Sequence, residues 1–182
     1  MAKSARTSRP IPLVALVLAW LVPGAGHAYL GRLRRGAIIF VTVSATFWAG
    51  VAIGGVMTVD YHNERWWFAA EMLSGIHGLI GWHRQQKVYE ELTANPLVGD
   101  APPPGASDRT AWNARIDGAL AKEGLALEAP LDTVARAYAG VAGLVNLMCV
   151  FDAVMLALLG VTGEPAPTRR EQDEAPPQEQ RP

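Results

Sequence analysis

The chain has 182 residues, with 16 Lys and Arg against 17 Asp and Glu and a formal net charge of −1. This near-neutral balance provides no basic field, so it gives no support to generic nucleic-acid binding. Half of the residues are apolar, which excludes a wholly disordered chain. The single cysteine excludes an internal disulfide framework and any zinc site built from clustered cysteines.

The charged residues are distributed very unevenly along the chain. Residues 11–31, 36–59 and 137–160 together contain one charged side chain, Asp152. Most of the other charges lie in the N-terminal arm, the middle of the chain and the tail. Such a partition is typical of a small integral membrane protein. The sequence therefore predicts an all-α membrane bundle of about four hydrophobic helices.

Residues 1–10 form a basic N-terminal arm, and the first predicted membrane helix follows at residues 11–30. About 20 residues without a formal charge are enough to cross a hydrocarbon layer ~30 Å thick. A cleavable signal peptide is the alternative, because a basic start and small residues such as Gly26 and Ala28 also occur there. Pro23 inside the run, and a basic turn leading at once into another apolar run, favour a helical hairpin.

The second predicted membrane helix, residues 36–59, follows the polar turn of residues 31–35 and completes a hairpin over residues 11–59. Gly50 and Gly54 are four residues apart and lie on one helical face. Such a pair lets two helix backbones approach closely, although glycine is also common in membrane helices without this role. A packing face and a chance pair both fit the spacing.

Residues 66–82 are the third candidate for a membrane helix and would complete the helical part of residues 11–82. Aromatic residues stand at both ends, as expected at two membrane interfaces. The segment is only 17 residues long and contains Glu71 and His77, and a central ionisable group costs ~2.5–3.5 kcal/mol on insertion scales. A spanning helix is favoured, and a re-entrant or interfacial helix is the alternative.

The last third of the chain contains one more predicted membrane helix. Residues 83–133 form a polar, partly helical insertion, too small for a substantial core of its own. Within it, Trp112 and Ile116 belong to a helical apolar stripe that would pack on the bundle or lie on the membrane surface. Residues 134–162 form the last membrane helix. Residues 163–182 are rich in proline and charge, which predicts a disordered tail.

The most specific motif is PGAGHAYLGRLRRG, at residues 23–36. Pro23 and Gly24 should kink or break the helix, and freed backbone groups in a membrane need polar partners. His27 can supply one such bond, and Tyr29 suits the membrane interface. His27 as a proton relay or metal ligand is a weaker alternative, because no second ligand stands three or four residues away. The motif's candidate structural positions are Pro23, Gly24, Gly26, His27, Tyr29, Gly31, Arg32, Arg35 and Gly36.

The pattern PGxGHxYLGRxRRG resembles the opening of bacterial membrane proteins related to the two-transmembrane-helix domain. In that domain, a helix ending in a G-x-H-x-F/Y-Y-L-G pattern turns through a short basic loop into a second helix. The segment AGVAGLVNLMCVFDA, residues 139–153, resembles the closing segment of an uncharacterised bacterial family built on the same kind of hairpin. The resemblance covers residues 13–55 and 134–160. It implies a membrane-embedded helical hairpin and brings no established activity.

Asn146 and Asp152 are the most costly polar residues of the last helix. They are six residues apart, about 600° of helical rotation, so they do not share a face. Hydrogen bonding between helices is the favoured interpretation, with Asp152 paired to an arginine of the 32–35 turn or placed at a helix end. An ion or proton site is the alternative. Glu71 and His77 are also six apart, which does not fit a helical metal-binding pair.

The sequence therefore predicts a structural or interaction module and not an enzyme. It predicts no catalytic, cofactor-binding or metal site and no cofactor. The expected partners are the lipid bilayer and other membrane proteins or a second copy of the chain, with no nucleic acid. The alternative is an ion- or solute-handling protein that uses Asp152 and Asn146 with Glu71 or His77.

The expected location is the bacterial inner (cytoplasmic) membrane, with several passes. For four membrane helices, the flanking Lys and Arg residues divide six against six between the two sides. The tight basic turn at residues 31–35 favours a cytoplasmic position for that turn. In the four-helix arrangement the middle segment would then be cytoplasmic as well, and the tail would lie on the other side.

Overall fold

A computed structural model describes residues 9–55, 58–61, 65–94, 98–99, 109–122 and 131–165. These parts contain seven α-helices and no strand, which confirms the all-α prediction. The helices are α1 (Pro12–Leu21), α2 (Ala25–Tyr29), α3 (Leu33–Gly54), α4 (Arg65–Met72), α5 (Ile76–Thr93), α6 (Arg109–Lys122) and α7 (Leu131–Leu158).

Two helices, α3 and the Thr133–Leu158 part of α7, are long and apolar enough to cross a membrane. They lie side by side and antiparallel. Gly50 near the end of α3 packs so closely on Ala135 near the start of α7 that a Cβ would lie 2.6 Å from the Ala135 carbonyl oxygen. Arg35 at the start of α3 reaches Asp152 near the end of α7. We call the end with Arg35 and Asp152 the basic end and the other the distal end.

The prediction of one helix over residues 11–30 is wrong, because the chain reverses after α1. Val22 is extended (φ −126°, ψ 111°), the conformation that a following proline imposes on its neighbour, and Pro23 has no N–H to continue the helix. Gly24 then adopts φ +82°. As a result α2 folds back on α1. The two helices are so close that a Cβ added to Gly26 would lie 2.7 Å from the Ala15 carbonyl oxygen. We call α1 and α2 the first hairpin.

The prediction of one helix over residues 66–82 is also wrong, because α4 and α5 are separated by a turn at residues 73–75. Gly75 has φ +66°, a conformation that suits glycine. The helix α4 starts near the distal end, where Trp67 packs on Gly140. The helix α5 returns towards that end, with Gly81 against Val59 and Phe47. This second hairpin, α4 and α5, corresponds to the re-entrant alternative.

The two hairpins enter from opposite ends of the α3–α7 pair and meet tip to tip halfway along α7. Gly75 at the second tip lies directly against the carbonyl oxygens of Trp20 and Leu21 at the first tip. The Asn146 side chain on α7 donates hydrogen bonds to both tips. The predicted bundle of four full-length helices is therefore not confirmed, and the described part contains two helices long and apolar enough to cross a membrane and two hairpins.

Small residues form the interior of this bundle, and large apolar residues cover its outside. The alanines that are buried completely or nearly so are Ala15, Ala19, Ala135, Ala139, Ala142, Ala153 and Ala157. By contrast, exposed fractions reach 66% at Ile38, 62% at Val41, 74% at Met148 and 64% at Phe151. Small side chains let the helix backbones approach closely. A few large apolar residues, among them Phe47 and Leu30, are buried as well, so the interior is mixed and the unusual feature is the number of large apolar residues on the outside.

The helix α6 packs on the outer half of α5. Trp112, Ile116 and Leu120 are buried against Val88 and Tyr89, so the predicted apolar stripe faces protein. The chain after α7 turns over the basic end, where the Gly163 N–H donates to the Leu30 carbonyl at 2.8 Å. Residues 1–8 of the basic arm and residues 166–182 of the tail lie outside the described part, as does the predicted disorder of that tail.

Candidate functional site

Four polar groups of the described part lie between the basic end and the distal half of the bundle. They are centred on Asp152, Asn146, His77 and Glu71. The first three join different helices, whereas neither carboxyl oxygen of Glu71 has a hydrogen-bond partner among the described residues. The geometry of each decides whether it holds the fold together or leaves a reactive atom free.

At the basic end, Asp152 accepts two charge-assisted contacts at one oxygen. His27 Nε2 lies 2.8 Å and Arg35 NH2 3.0 Å from Asp152 Oδ2. Because a carboxylate only accepts, His27 Nε2 carries the proton of that hydrogen bond. The predicted pairing of Asp152 with an arginine of the 32–35 turn is confirmed. This group ties α2, α3 and α7 together.

Apart from joining these helices, the Asp152 group offers little capacity for further chemistry. The Asp152 and Arg35 side chains are 40% and 49% exposed, and an ion pair that is half in solvent contributes about 0–1 kcal/mol. His27 is fully buried, and its Nδ1 has no partner among the described residues. No group of three metal-ligating side chains occurs in the described part. The Asp152 group is therefore interpreted as a structural cluster that holds three helices together.

Asn146 occupies the junction of the two hairpin tips. Its amide nitrogen lies 2.9 Å from the carbonyl oxygen of Leu73, 3.4 Å from that of Ala19 and 3.5 Å from that of Trp20. These carbonyls belong to the last turns of α1 and α4, where a helix leaves acceptors without partners. Asn146 is fully buried, and its Oδ1 has no partner among the described residues. The side chain therefore caps two helices at once.

His77 lies in an aromatic cage at the start of α5. Its Nδ1 accepts a hydrogen bond from Trp48 Nε1 at 3.3 Å, and its Nε2 lies 2.9 Å from Ser44 Oγ. The ring stacks on Phe47 at 5.9 Å. Because an indole N–H only donates, Nδ1 must be unprotonated and the ring neutral. His77 is therefore a satisfied core histidine that joins α3 to α5.

Glu71 is the least satisfied polar side chain of the interior. It is fully buried, and neither carboxyl oxygen has a hydrogen-bond partner among the described residues. Arg136 and Asp60 are the charged groups that act on it electrostatically. Gln85 on α5 is equally buried and without a partner there, and nothing in its polar sequence surroundings predicted this.

The structure places the motif residues around the first hairpin and the basic end. Gly24 lies directly against the Gly36 carbonyl, and the Ile11 N–H donates to Tyr29 Oη at 3.2 Å. Gly31 adopts φ +80°, and Arg32 is 8% exposed. The groups around Asp152, Asn146, His77 and Glu71 have separate partners. Ser44 and Trp48 were missed by sequence reasoning, because a hydroxyl and an indole in an apolar helix carry no distinctive spacing.

One comparison with known proteins gives a match. Residues 14–165 match a family described as a family of unknown function, DUF6677. The chain belongs to this family. The DUF6677 match includes both hairpins, α3 and α7, so the family unit is larger than the hairpin of residues 11–59. This agrees with the prediction of an uncharacterised family. Comparisons with curated proteins and with solved structures give no match.

Proposed function

We propose that this DUF6677 protein is an integral protein of the bacterial inner membrane that acts as a structural or interaction module. The single observation that carries the proposal is the apolar outer surface of the long helices. Large apolar residues face outwards along α1, α3 and α7, and the inside consists mainly of alanine, glycine and polar residues together with a few large apolar residues such as Phe47 and Leu30. A surface of this kind is unfavourable in water and suits lipid.

The dimensions agree with this location. The 22 residues of α3 extend about 33 Å, which matches a hydrocarbon core ~30 Å thick. Each hairpin then enters from one side and ends near the middle of the membrane. Exposed backbone groups at that depth are tolerated only where protein satisfies them. Asn146 provides this for the carbonyls of both tips.

Two crossing helices change the expected sidedness. The N-terminal arm, the 31–35 turn and the tail come to lie on one side, and the chain between α3 and α7 on the other. Nine of the 16 Lys and Arg residues then flank the basic end, six of them before residue 36. The other seven lie between residues 65 and 136. Because the larger number of Lys and Arg residues flanks the basic end, we assign that end to the cytoplasm and the middle segment to the outside.

The resemblance to the two-transmembrane-helix domain belongs to the same proposal. A helix, a short basic loop and a second helix follow one another in α1–α2, residues 31–35 and α3. The first helix of the pair is replaced here by a half-length hairpin. The likeness thus supports a membrane location and adds no activity.

Cysteine labelling in intact cells tests the sidedness. After removal of Cys149, single cysteines are placed at Leu33, Ser107 and Thr168 and treated with an impermeant reagent. We expect labelling of Ser107 alone, with Leu33 and Thr168 labelled only after the membrane is opened. Labelling of Thr168 with protection of Leu33 and Ser107 would instead establish four crossings with the basic turn inside.

Two further measurements test the rest of the proposal. Carbonate extraction should leave the protein in the membrane pellet, and its release would refute membrane integration. The purified protein should form oligomers or retain a protein partner in detergent, as judged by its mass in solution. A strictly monomeric protein that co-purifies with nothing would remove the support for an interaction module.

Proton or ion handling is the second candidate function, and Glu71 favours it. A buried carboxyl without a hydrogen-bond partner is costly in a membrane protein and is often functional. Proton or cation flux into liposomes containing the protein tests this candidate. Flux that is lost in Glu71→Gln but kept in Asp152→Ala, with both variants folded, would place the pathway at Glu71. No flux above that of empty liposomes would dismiss it.

A further inference from the structure

An apolar groove lies between the end of α3 and the middle of α5, at the distal end of the bundle. Its volume is about 330 Å³, and it is open on one side. Trp48, Val51, Ala52 and Val59 provide its apolar walls, and Arg84 is the one charged residue that lines it. Of the four polar groups described above, only the cage around His77 shares a residue with the groove, Trp48.

Arg84 is exposed and makes no ion pair with a described residue. It lies eight residues after Ile76, the first residue of α5, and therefore about 12 Å from the middle of the bundle at 1.5 Å per residue. Half of a hydrocarbon layer is about 15 Å thick. A long arginine side chain at that depth can extend its guanidinium to the level of the phosphate headgroups while its stem stays in apolar surroundings.

The groove thus combines apolar walls inside the hydrocarbon layer with one unpaired cation at its edge. An amphiphile with an acyl chain and an anionic head matches both features. The volume is at the lower end of the range for ligand pockets, ~300–1,000 Å³, which suits one chain and not a whole lipid. A bilayer supplies this chemistry as anionic phospholipid.

We propose that this groove binds one acyl chain of an anionic phospholipid whose phosphate pairs with Arg84. The inference rests on the proposed membrane location. The lipid would be held beside the cage around His77, because Trp48 belongs both to the groove and to that cage. Bound lipid would therefore brace α3 against α5 at the level where the second hairpin leaves the bundle.

The test uses the full chain in phosphatidylcholine vesicles that contain a minor fraction of lipid brominated in its acyl chains. Bromine quenches tryptophan fluorescence at short range, so Trp48 reports on a chain inside the groove. We expect brominated phosphatidylglycerol to quench more than brominated phosphatidylcholine at equal fractions. The expected preference is about fivefold, which corresponds to about 1 kcal/mol for one basic residue near an anionic surface.

Three variants separate the groove from general surface binding. Arg84→Gln should abolish the preference, and Lys87→Gln, an exposed cation on the same helix, should retain it. Ala52→Phe, which fills the groove and keeps Arg84, should remove the excess quenching. Trp48→Phe should remove the excess quenching by brominated phosphatidylglycerol, because the other five tryptophans report only on general contact with lipid. The helical circular dichroism of each variant is checked against the parent.

Equal quenching by the two brominated lipids, or a preference unchanged by Arg84→Gln, would overturn the inference. Excess quenching by brominated free fatty acid alone would overturn the assignment to a phospholipid. Protein that remains in the membrane after carbonate extraction but shows no preference would refute only the lipid site. Protein released by carbonate would refute the membrane proposal on which the site rests.

Discussion

Replacing Asn146 by leucine removes the donor that both hairpin tips share. The amide nitrogen is 2.9 Å from the Leu73 carbonyl and 3.4 Å from the Ala19 carbonyl. Leucine has a similar size and no donor, so the change leaves these carbonyls without that bond in a fully buried place. Two magnitudes compete here. Hydrogen bonds between membrane helices average about 0.6 kcal/mol, whereas an orphaned buried acceptor costs about 1–3 kcal/mol.

At Asn146 the cost of an orphaned buried acceptor should be the larger effect. The average is small because an opened membrane helix pair finds other partners, but the carbonyls here belong to helix ends that the turns at residues 22–24 and 73–75 expose. The bond to Leu73 is short, and that to Ala19 is long. Leucine also removes the unpartnered Oδ1 of Asn146, which offsets part of this loss. We therefore expect Asn146→Leu to lower the free energy of unfolding by about 1–2 kcal/mol.

Reversible unfolding in detergent micelles measures this loss. The control is Met148→Leu on the same helix, a residue that is 74% exposed, which should change the stability by less than about 0.5 kcal/mol. Hydrogen exchange at residues 73–75 should accelerate in Asn146→Leu and not in the control. A loss below about 0.6 kcal/mol for Asn146→Leu, with unchanged exchange at those residues, would refute the reasoning that Asn146 holds the two tips.

Two further predictions concern the second hairpin. Gly75→Ala should destabilise the protein by about 1–3 kcal/mol, because the residue has φ +66° and its Cβ would meet carbonyl oxygens. In the same unfolding assay the control Gly118→Ala on α6, with open space at its Cβ, should be neutral or stabilising. An equal loss of stability in both variants would contradict the tip contact. Glu71→Gln removes a carboxyl that is fully buried without a hydrogen-bond partner among the described residues, so it should lower the free energy of unfolding by less than about 1 kcal/mol in the same assay. A larger loss would show that the carboxyl makes a contact that stabilises the fold.

The absence of charge predicted the two long helices well. The run at residues 36–59 overlaps α3, and residues 134–162 overlap α7. The pairing of Asp152 could also be predicted, because a carboxylate near the end of an apolar helix needs a cation and the 32–35 turn supplies one.

The two hairpins could not be predicted in the same way. At the first tip, Pro23 and Gly24 predicted a break in the helix. The uncharged run around them was nevertheless long enough to favour a single membrane helix. At the second tip Gly75 is the only mark, and its turn depends on contact with α1 and α7. The partners of His77 come from α3, and residue spacing along one helix carries no information about such neighbours.

The tip-to-tip contact has an architectural consequence. The order of a hairpin followed by a long helix occurs twice, as α1–α2–α3 and as α4–α5–α7, with α6 between α5 and α7. Asn146 on the second long helix caps the end of α1 in the first set, so the first hairpin lacks part of its capping until the last helix has been added to the chain. A cut between α3 and α4 would leave the end of α1 without this cap, whereas Asn146 would keep its bond to Leu73.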